Sequence, residues 1–131
     1  MSPRTVRADD AIRRGRLSKA EQFADAAIAV DLLADEAADV ADAYVTLCVH
    51  AGIAAADAIC AARLGEYSRG ESHDEAVTLL ATIDKALAAH LRALLTVKTL
   101  AGYSHTPVSG ERARRAGRAM DALVEAARAT R

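Results

Sequence analysis

VADAYVTLCVHAGIAAADAICAARLGE, residues 40–66, decides the fold. The stretch has no proline and carries charge only at Asp42, Asp57, Arg63 and Glu66. At about 3.6 residues per turn, Cys48, Gly52, Ala56 and Cys60 form one row of small side chains. Such a row lets a neighbouring helix approach closely, with Val40, Tyr44, Leu47, Ala51, Ala58 and Ile59 as apolar flanks. A helix that is apolar around most of its circumference is buried on several sides. These residues therefore predict the central helix of a bundle.

The rest of the chain fits that centre. With 131 residues it makes one domain. It has no Trp, one Phe and three Tyr, so Ala, Leu, Val and Ile must fill the core, which suits close helix–helix contacts. Cys48 and Cys60 lie about 18 Å apart along a straight helix, too far for a disulfide within it. Two reduced, buried thiols and an N-terminus without an apolar signal region point to the cytoplasm. No apolar run is expected to reach transmembrane length, and no membrane partner is expected. The abundance of Ala and the excess of Arg over Lys hint at a bacterial origin.

Outward from the centre, residues 1–17 read as a basic, flexible segment with at best a short helix around Asp9 to Arg14, and residues 18–131 as the bundle. Ser18-Lys19-Ala20-Glu21 forms a capping box that predicts the start of the first helix. Phe23, Ala27, Val30 and Ala34 mark its inner face, with Ile28 and Leu33 beside it. Asp35 is placed to cap the central helix, Gly65 lies in its last turn, and residues 67–70 make a loop. Ser72-His73-Asp74-Glu75 is a second capping box, a break is expected near residues 82–84, and Asp84 is placed to cap a fourth helix. Leu87, Leu91, Leu94 and Ala101 give that helix its apolar face. Thr106-Pro107 ends it and Ser109 caps the last helix, whose inner stripe is Ala113, Ala116, Met120, Leu123 and Ala127. No strand-like alternation is present. The fold expected is all-α, an up-and-down bundle of four to five helices.

Charge is segregated along this sequence. Residues 1–19 carry six basic and two acidic side chains, and residues 20–84 carry two basic against thirteen acidic. Residues 85–131 carry nine basic and three acidic, so the blocks run +4, −11 and +6. Such segregation suits a basic surface for a polyanion or complementary surfaces that pair within or between chains. Arg112, Arg114, Arg115 and Arg118 concentrate the basic charge on the last helix, where they can hold phosphates or form a solvated face.

A second feature is KTLAGYSHTPVS, residues 98–109. Lys98 shares a helical face with Leu91, Leu94 and Ala101, and His105 would continue that face if the helix ran on. Lys98 can also extend its head to water, and His105 can sit favourably at a helix C-terminus. His50 and Asp57 lie seven residues apart on one face of the central helix, which predicts a buried His satisfied by a carboxylate or a carbonyl. His73 and His90 read as exposed. No HxxxH, HExxH, CxxC, GxSxG or P-loop spacing occurs, so neither a metal nor another cofactor is expected. A thiol on a packing row is inert rather than nucleophilic.

Three stretches, VHAGIAAADAIC, SHDEAVTLL and LLTVKTLAGYSHTPVS, followed by the arginine-rich ERARRAGRAMDALVEAA, resemble the stand-alone bacterial branch of the HEPN superfamily (higher eukaryotes and prokaryotes nucleotide-binding). The resemblance runs from Ala20 to Arg128 and rests on short, alanine-rich motifs. It implies a helical bundle, a homodimer, and a polar cleft that gathers Lys98, Tyr103 and His105. Ribonuclease members of the superfamily carry an Arg and a His separated by a few residues near a helix end. They cleave RNA without metal, in a cleft lined by two chains. Lys98, six intervening residues and His105 occupy the matching place, with Lys in place of Arg. An ammonium cannot reproduce the two parallel hydrogen bonds of a guanidinium on phosphate. The reading is therefore a catalytically silent module binding nucleic acid or nucleotide through Lys98, Tyr103, His105, Arg112, Arg114, Arg115 and Arg118. One alternative is a toxin-like, metal-independent endoribonuclease, with Lys98 stabilising developing charge and His105 acting as base. The other is a protein-interaction bundle that binds no nucleic acid.

Overall fold

The computed structural model describes residues 3–69 and 73–130, and these form an all-α bundle of five helices with one short two-stranded antiparallel sheet. The helices are α1 (Asp10–Leu33), α2 (Ala41–Leu64), α3 (His73–Ala81), α4 (Lys85–Tyr103) and α5 (Gly110–Arg128). A 3-10 turn at Ala37–Val40 precedes α2.

Helix α2 is the centre that its sequence predicts. Val45, Cys48, Val49, Ala51, Gly52, Ala55, Ala56, Ala58, Ile59 and Cys60 are all buried. The small row has a direct structural consequence at Gly52. A Cβ placed there would collide with Leu94 Cδ1 of α4 and stand 3.3 Å from Leu123 Cδ1 of α5. Glycine thus lets two helices close on a third, and Leu91, Leu94, Met120 and Leu123 fill the space between them as fully buried side chains. Contrary to the length expected from the sequence, the region spanning residues 37–64 is long and apolar enough to cross a membrane, but 72% of its most apolar window is buried inside the bundle, as in a core helix.

The N-terminus departs from the sequence reading. Residues 5–7 are not a loose segment. They form β1 (Thr5–Arg7), paired antiparallel with β2 (Glu66–Ser68) in the register Thr5↔Ser68, Val6↔Tyr67 and Arg7↔Glu66. The cause is Gly65, which takes a left-handed conformation at φ 70° that favours glycine and turns the chain back beyond α2. Ala8 then donates its N–H to the Gly65 carbonyl at 2.9 Å. Helix α1 also starts earlier than Ser18. Asp9 accepts from the Ile12 N–H at 2.8 Å, and Asp10 pairs with Arg13 at 2.7 Å, so the first cap is set by the two aspartates. Ser18 lies inside the helix and accepts from Gln22 Nε2 at 3.1 Å.

The buried face of α1 is Leu17, Ala20, Ala24 and Ala27, while Phe23, Val30 and Ala34 are only half-buried. Ile28 and Leu33 face outward, along with Leu32. Small residues sit against α2 here, which rotates the bulkier ones away. Asp35 does not cap α2, because the 3-10 turn intervenes and Val40 occupies the cap position with no side-chain bond. Asp42 serves another purpose, accepting from the Val108 N–H at 2.9 Å and tying the start of α2 to the α4–α5 connection. Later signals are borne out. Chain direction breaks at residues 82–84, Asp84 caps α4 through the Leu87 N–H, and Ser109 caps α5 through the Arg112 N–H. Ser72, expected to cap α3, lies outside the described residues.

Candidate nucleic-acid interface

The basic surface is built by α5. Its inner stripe, Ala116, Ala119, Met120, Leu123 and Ala127, is buried, and this fixes the rotation of the helix. At about 100° per residue, Arg112, Arg115, Arg118 and Arg114 then spread over roughly 160° of the outer surface. All four are exposed. Several other arginines are engaged: Arg4 with Glu75 at 3.2 Å, Arg14 with Asp10 at 3.3 Å, Arg16 with Asp57 at 3.6 Å, Arg92 with Asp74 at 3.6 Å and Arg128, at the end of α5, with Glu21 at 3.1 Å. Among the described residues, Arg112, Arg114, Arg115 and Arg118 meet no carboxylate in an ion pair, and neither do Arg7, Arg63 and Arg69, which lie elsewhere in the chain.

These arginines do not share one cleft. Arg112 and Arg115 line a groove between α4 and α5 of about 260 Å³, with Ala93, Thr96, Val97 and Ala116 as its floor and walls. Arg114 points to the opposite flank of α5, into a depression beside Asp31 and Tyr44. Lys98 and Tyr103 belong to a third recess, of about 160 Å³, between α2 and α4 with Thr46, Val49, His50 and Gly102.

The Lys98 recess holds a contact that sequence spacing does not foretell. Lys98 Nζ lies 3.2 Å from His73 Nε2, which brings α4 to the start of α3. His105 joins neither the Lys98 recess nor the arginine groove. Helix α4 ends at Tyr103, Ser104 turns extended, and His105 stands exposed in the connection to α5. The face that would have carried His105 one turn beyond Ala101 is therefore interrupted. Tyr103 is 81% exposed and offers its ring to solvent rather than to the core.

The other histidine reading is corrected. His50 is exposed, stacked on Phe23 of α1 with ring centroids 5.3 Å apart and planes at 29°. Asp57 turns to Arg16 instead, and the Arg16 guanidinium lies 5.4 Å from the centre of the Tyr67 ring. Burial pushes the Asp57 carboxyl up to about 6, with Arg16 opposing the shift. Burial likewise pushes Cys48 and Cys60 up to about 12, which leaves both as thiols at neutral pH and poor nucleophiles. Among the described residues, no three His, Cys, Asp or Glu side chains are grouped to hold a metal ion.

Two participants escaped the sequence reading. Thr96 sits between the arginines across the groove, and its signal is four-residue spacing from Arg92 on the face away from Leu94. His73 has no sequence signal as a partner of Lys98, because the two are 25 residues apart and on different helices. Compared with known proteins, the chain matches no family model and no curated protein sequence.

Proposed function

We propose that this protein binds the phosphate backbone of single-stranded nucleic acid along the α4–α5 groove and performs no chemistry on it. One observation carries the reading: four exposed arginines crowd into residues 112–118 of α5, and none of them is in an ion pair among the described residues. Guanidinium groups without a protein partner are free to take phosphate oxygens in forked hydrogen bonds. Arg112 and Arg115 hold the backbone in the groove, and Arg118 extends the path along α5. A strand crossing α4 reaches Lys98 and the exposed ring of Tyr103, which supplies a stacking face for a base. Membership of the HEPN superfamily is part of this proposal, supported by the all-α bundle and the arginine-rich last helix. Cleavage is left out of it because His105 lies beyond the helix end and lines neither the Lys98 recess nor the arginine groove.

The test is fluorescence anisotropy with labelled single-stranded RNA and DNA, in EDTA, reading cleavage of the same samples on gels. Arg112→Gln/Arg115→Gln weakens binding at least about 10-fold, the scale expected for losing two phosphate contacts. Arg63→Gln, an exposed arginine at the end of α2, leaves binding unchanged. Equal affinity of the double variant and the wild type would overturn the assignment of the groove. RNA cleavage abolished by His105→Ala would replace the silent reading with the ribonuclease one.

A further inference from the structure

The end of α1 and the 3-10 turn carry apolar surface and negative charge together. Ile28 is 46% exposed, Leu32 77% and Leu33 85%. Ile28 has Leu32 one turn ahead of it and Asp25 and Asp31 three residues to either side, so these are neighbours on the helix surface. Asp31 also lines a depression of about 170 Å³, walled by Ala37, Ala41, Tyr44, Val108 and Ala113. Small-molecule sites run to about 300–1,000 Å³, so this depression suits a single apolar side chain rather than a whole ligand.

Charge decides what covers it. No Lys or Arg occurs between Lys19 and Arg63. Asp25, Asp31, Asp35, Glu36 and Asp39 are all exposed, and among the described residues none of them is in an ion pair. Asp121 of α5 adds to the field. Burial above all, then the Cys48 thiol, and then the carboxylates of Asp31 and Asp121 hold the Tyr44 hydroxyl above its ordinary range. Arg114 is the one basic side chain in the lining among the described residues, and these carboxylates outnumber it.

We propose that this face docks a basic amphipathic helix of another protein. An apolar side chain of that helix enters the depression, its neighbours lie on Ile28 and Leu32, and lysines or arginines beside the apolar stripe reach Asp31, Asp35 and Asp39. Amphipathic helices seat on apolar grooves through anchors at three- and four-residue spacing. A second copy of the chain does not complete the face, because a two-fold axis sets the same carboxylates against one another. Nucleic acid and anionic membranes are repelled by the same charge. Arg112 and Arg115 lie on the other flank of α5, so this docking does not depend on strand binding there.

Fluorescence anisotropy with three labelled synthetic peptides tests it. The first is an amphipathic helix of Leu and Lys, about five turns long. The second has Glu in place of every Lys, and the third keeps the Leu–Lys composition in an order that removes the apolar stripe. Only the first binds at micromolar concentration. Leu32→Ser/Leu33→Ser weakens it at least about 10-fold, as the loss of apolar anchors does, with an unchanged helical circular dichroism spectrum. Asp31→Asn/Asp39→Asn weakens it at least about 3-fold and flattens its salt dependence. Asp74→Asn, which removes an exposed carboxylate of α3, leaves it unchanged. No binding of the first peptide, equal binding of either control, or wild-type affinity in the leucine variant would overturn the inference. A sedimentation mass of two chains that falls to one in the leucine variant would give the face to a second copy and overturn it as well.

Discussion

Asp57 sits beneath Arg16 with only 14% of its side chain exposed, and its carboxyl is pushed up to about 6 from an ordinary 3.8 by burial. Between those two values the folded chain holds a proton that the unfolded chain has released. Stability therefore falls as pH rises from about 4 to about 6, and the full cost is present above that range. A shift of this size corresponds to roughly 2–3 kcal/mol. Asp57→Asn removes it, so urea denaturation should show the variant gaining stability over wild type at pH 7.5 but not at pH 4. An unchanged difference between the two pH values would mean that the carboxylate is solvated rather than buried. The Arg16 contact was not legible in the sequence, where Asp57 shares a helical face with His50. Seven-residue spacing identifies a common face, but it does not say which neighbouring helix supplies the partner. Lys98 and His105 share that spacing, and there the end of α4 at Tyr103 separates them.

Helix α2 owes its position to side chains that are missing rather than present. Adding a methyl at Gly52 drives it into Leu94, a fully buried side chain with Leu123 packed close by, so nothing there can swing aside. At Gly117 the added methyl meets the Tyr44 hydroxyl, at the tip of a half-buried side chain that can rotate toward the surface. Both substitutions gain about 1 kcal/mol of helix propensity. Overpacking costs about 1–3 kcal/mol in a rigid core and less where the neighbour yields. Gly52→Ala is thus expected to destabilise the protein by about 1–2 kcal/mol net, and Gly117→Ala to be neutral or slightly stabilising. Thermal unfolding of the pair reads the contrast, and equal shifts in both would contradict it. The small row of α2 was plain in the sequence, as were the caps at Asp84 and Ser109, because each is a local pattern. The pairing of β1 with β2 was not. Three-residue strands are too short to alternate, and their pairing depends on the reversal at Gly65 bringing residues 66–68 beside residues 5–7.

For the whole molecule, the separation of charge in the sequence becomes a separation of surfaces. The acidic middle of the chain includes carboxylates that pair with Arg16 of α1, Arg92 of α4 and Arg128 at the end of α5, while the first half of α5 keeps its guanidinium groups unpaired among the described residues. That imbalance was legible as +4, −11 and +6. The division of the arginines between two flanks of α5 was not, because it depends on how α5 is rotated against α4. The central claim is that Arg112, Arg115, Arg118 and Lys98 neutralise phosphates. The most direct measurement is the slope of log affinity against log salt for a labelled single strand. With about 0.7 counterions released per phosphate, four contacts give a slope of about −3 and an affinity loss of about 50-fold between about 50 and 200 mM salt. Arg112→Gln/Arg115→Gln should halve the slope and cut that loss to about 7-fold. A double variant with the wild-type slope, or a wild type that binds no strand at the lower salt, would contradict the account.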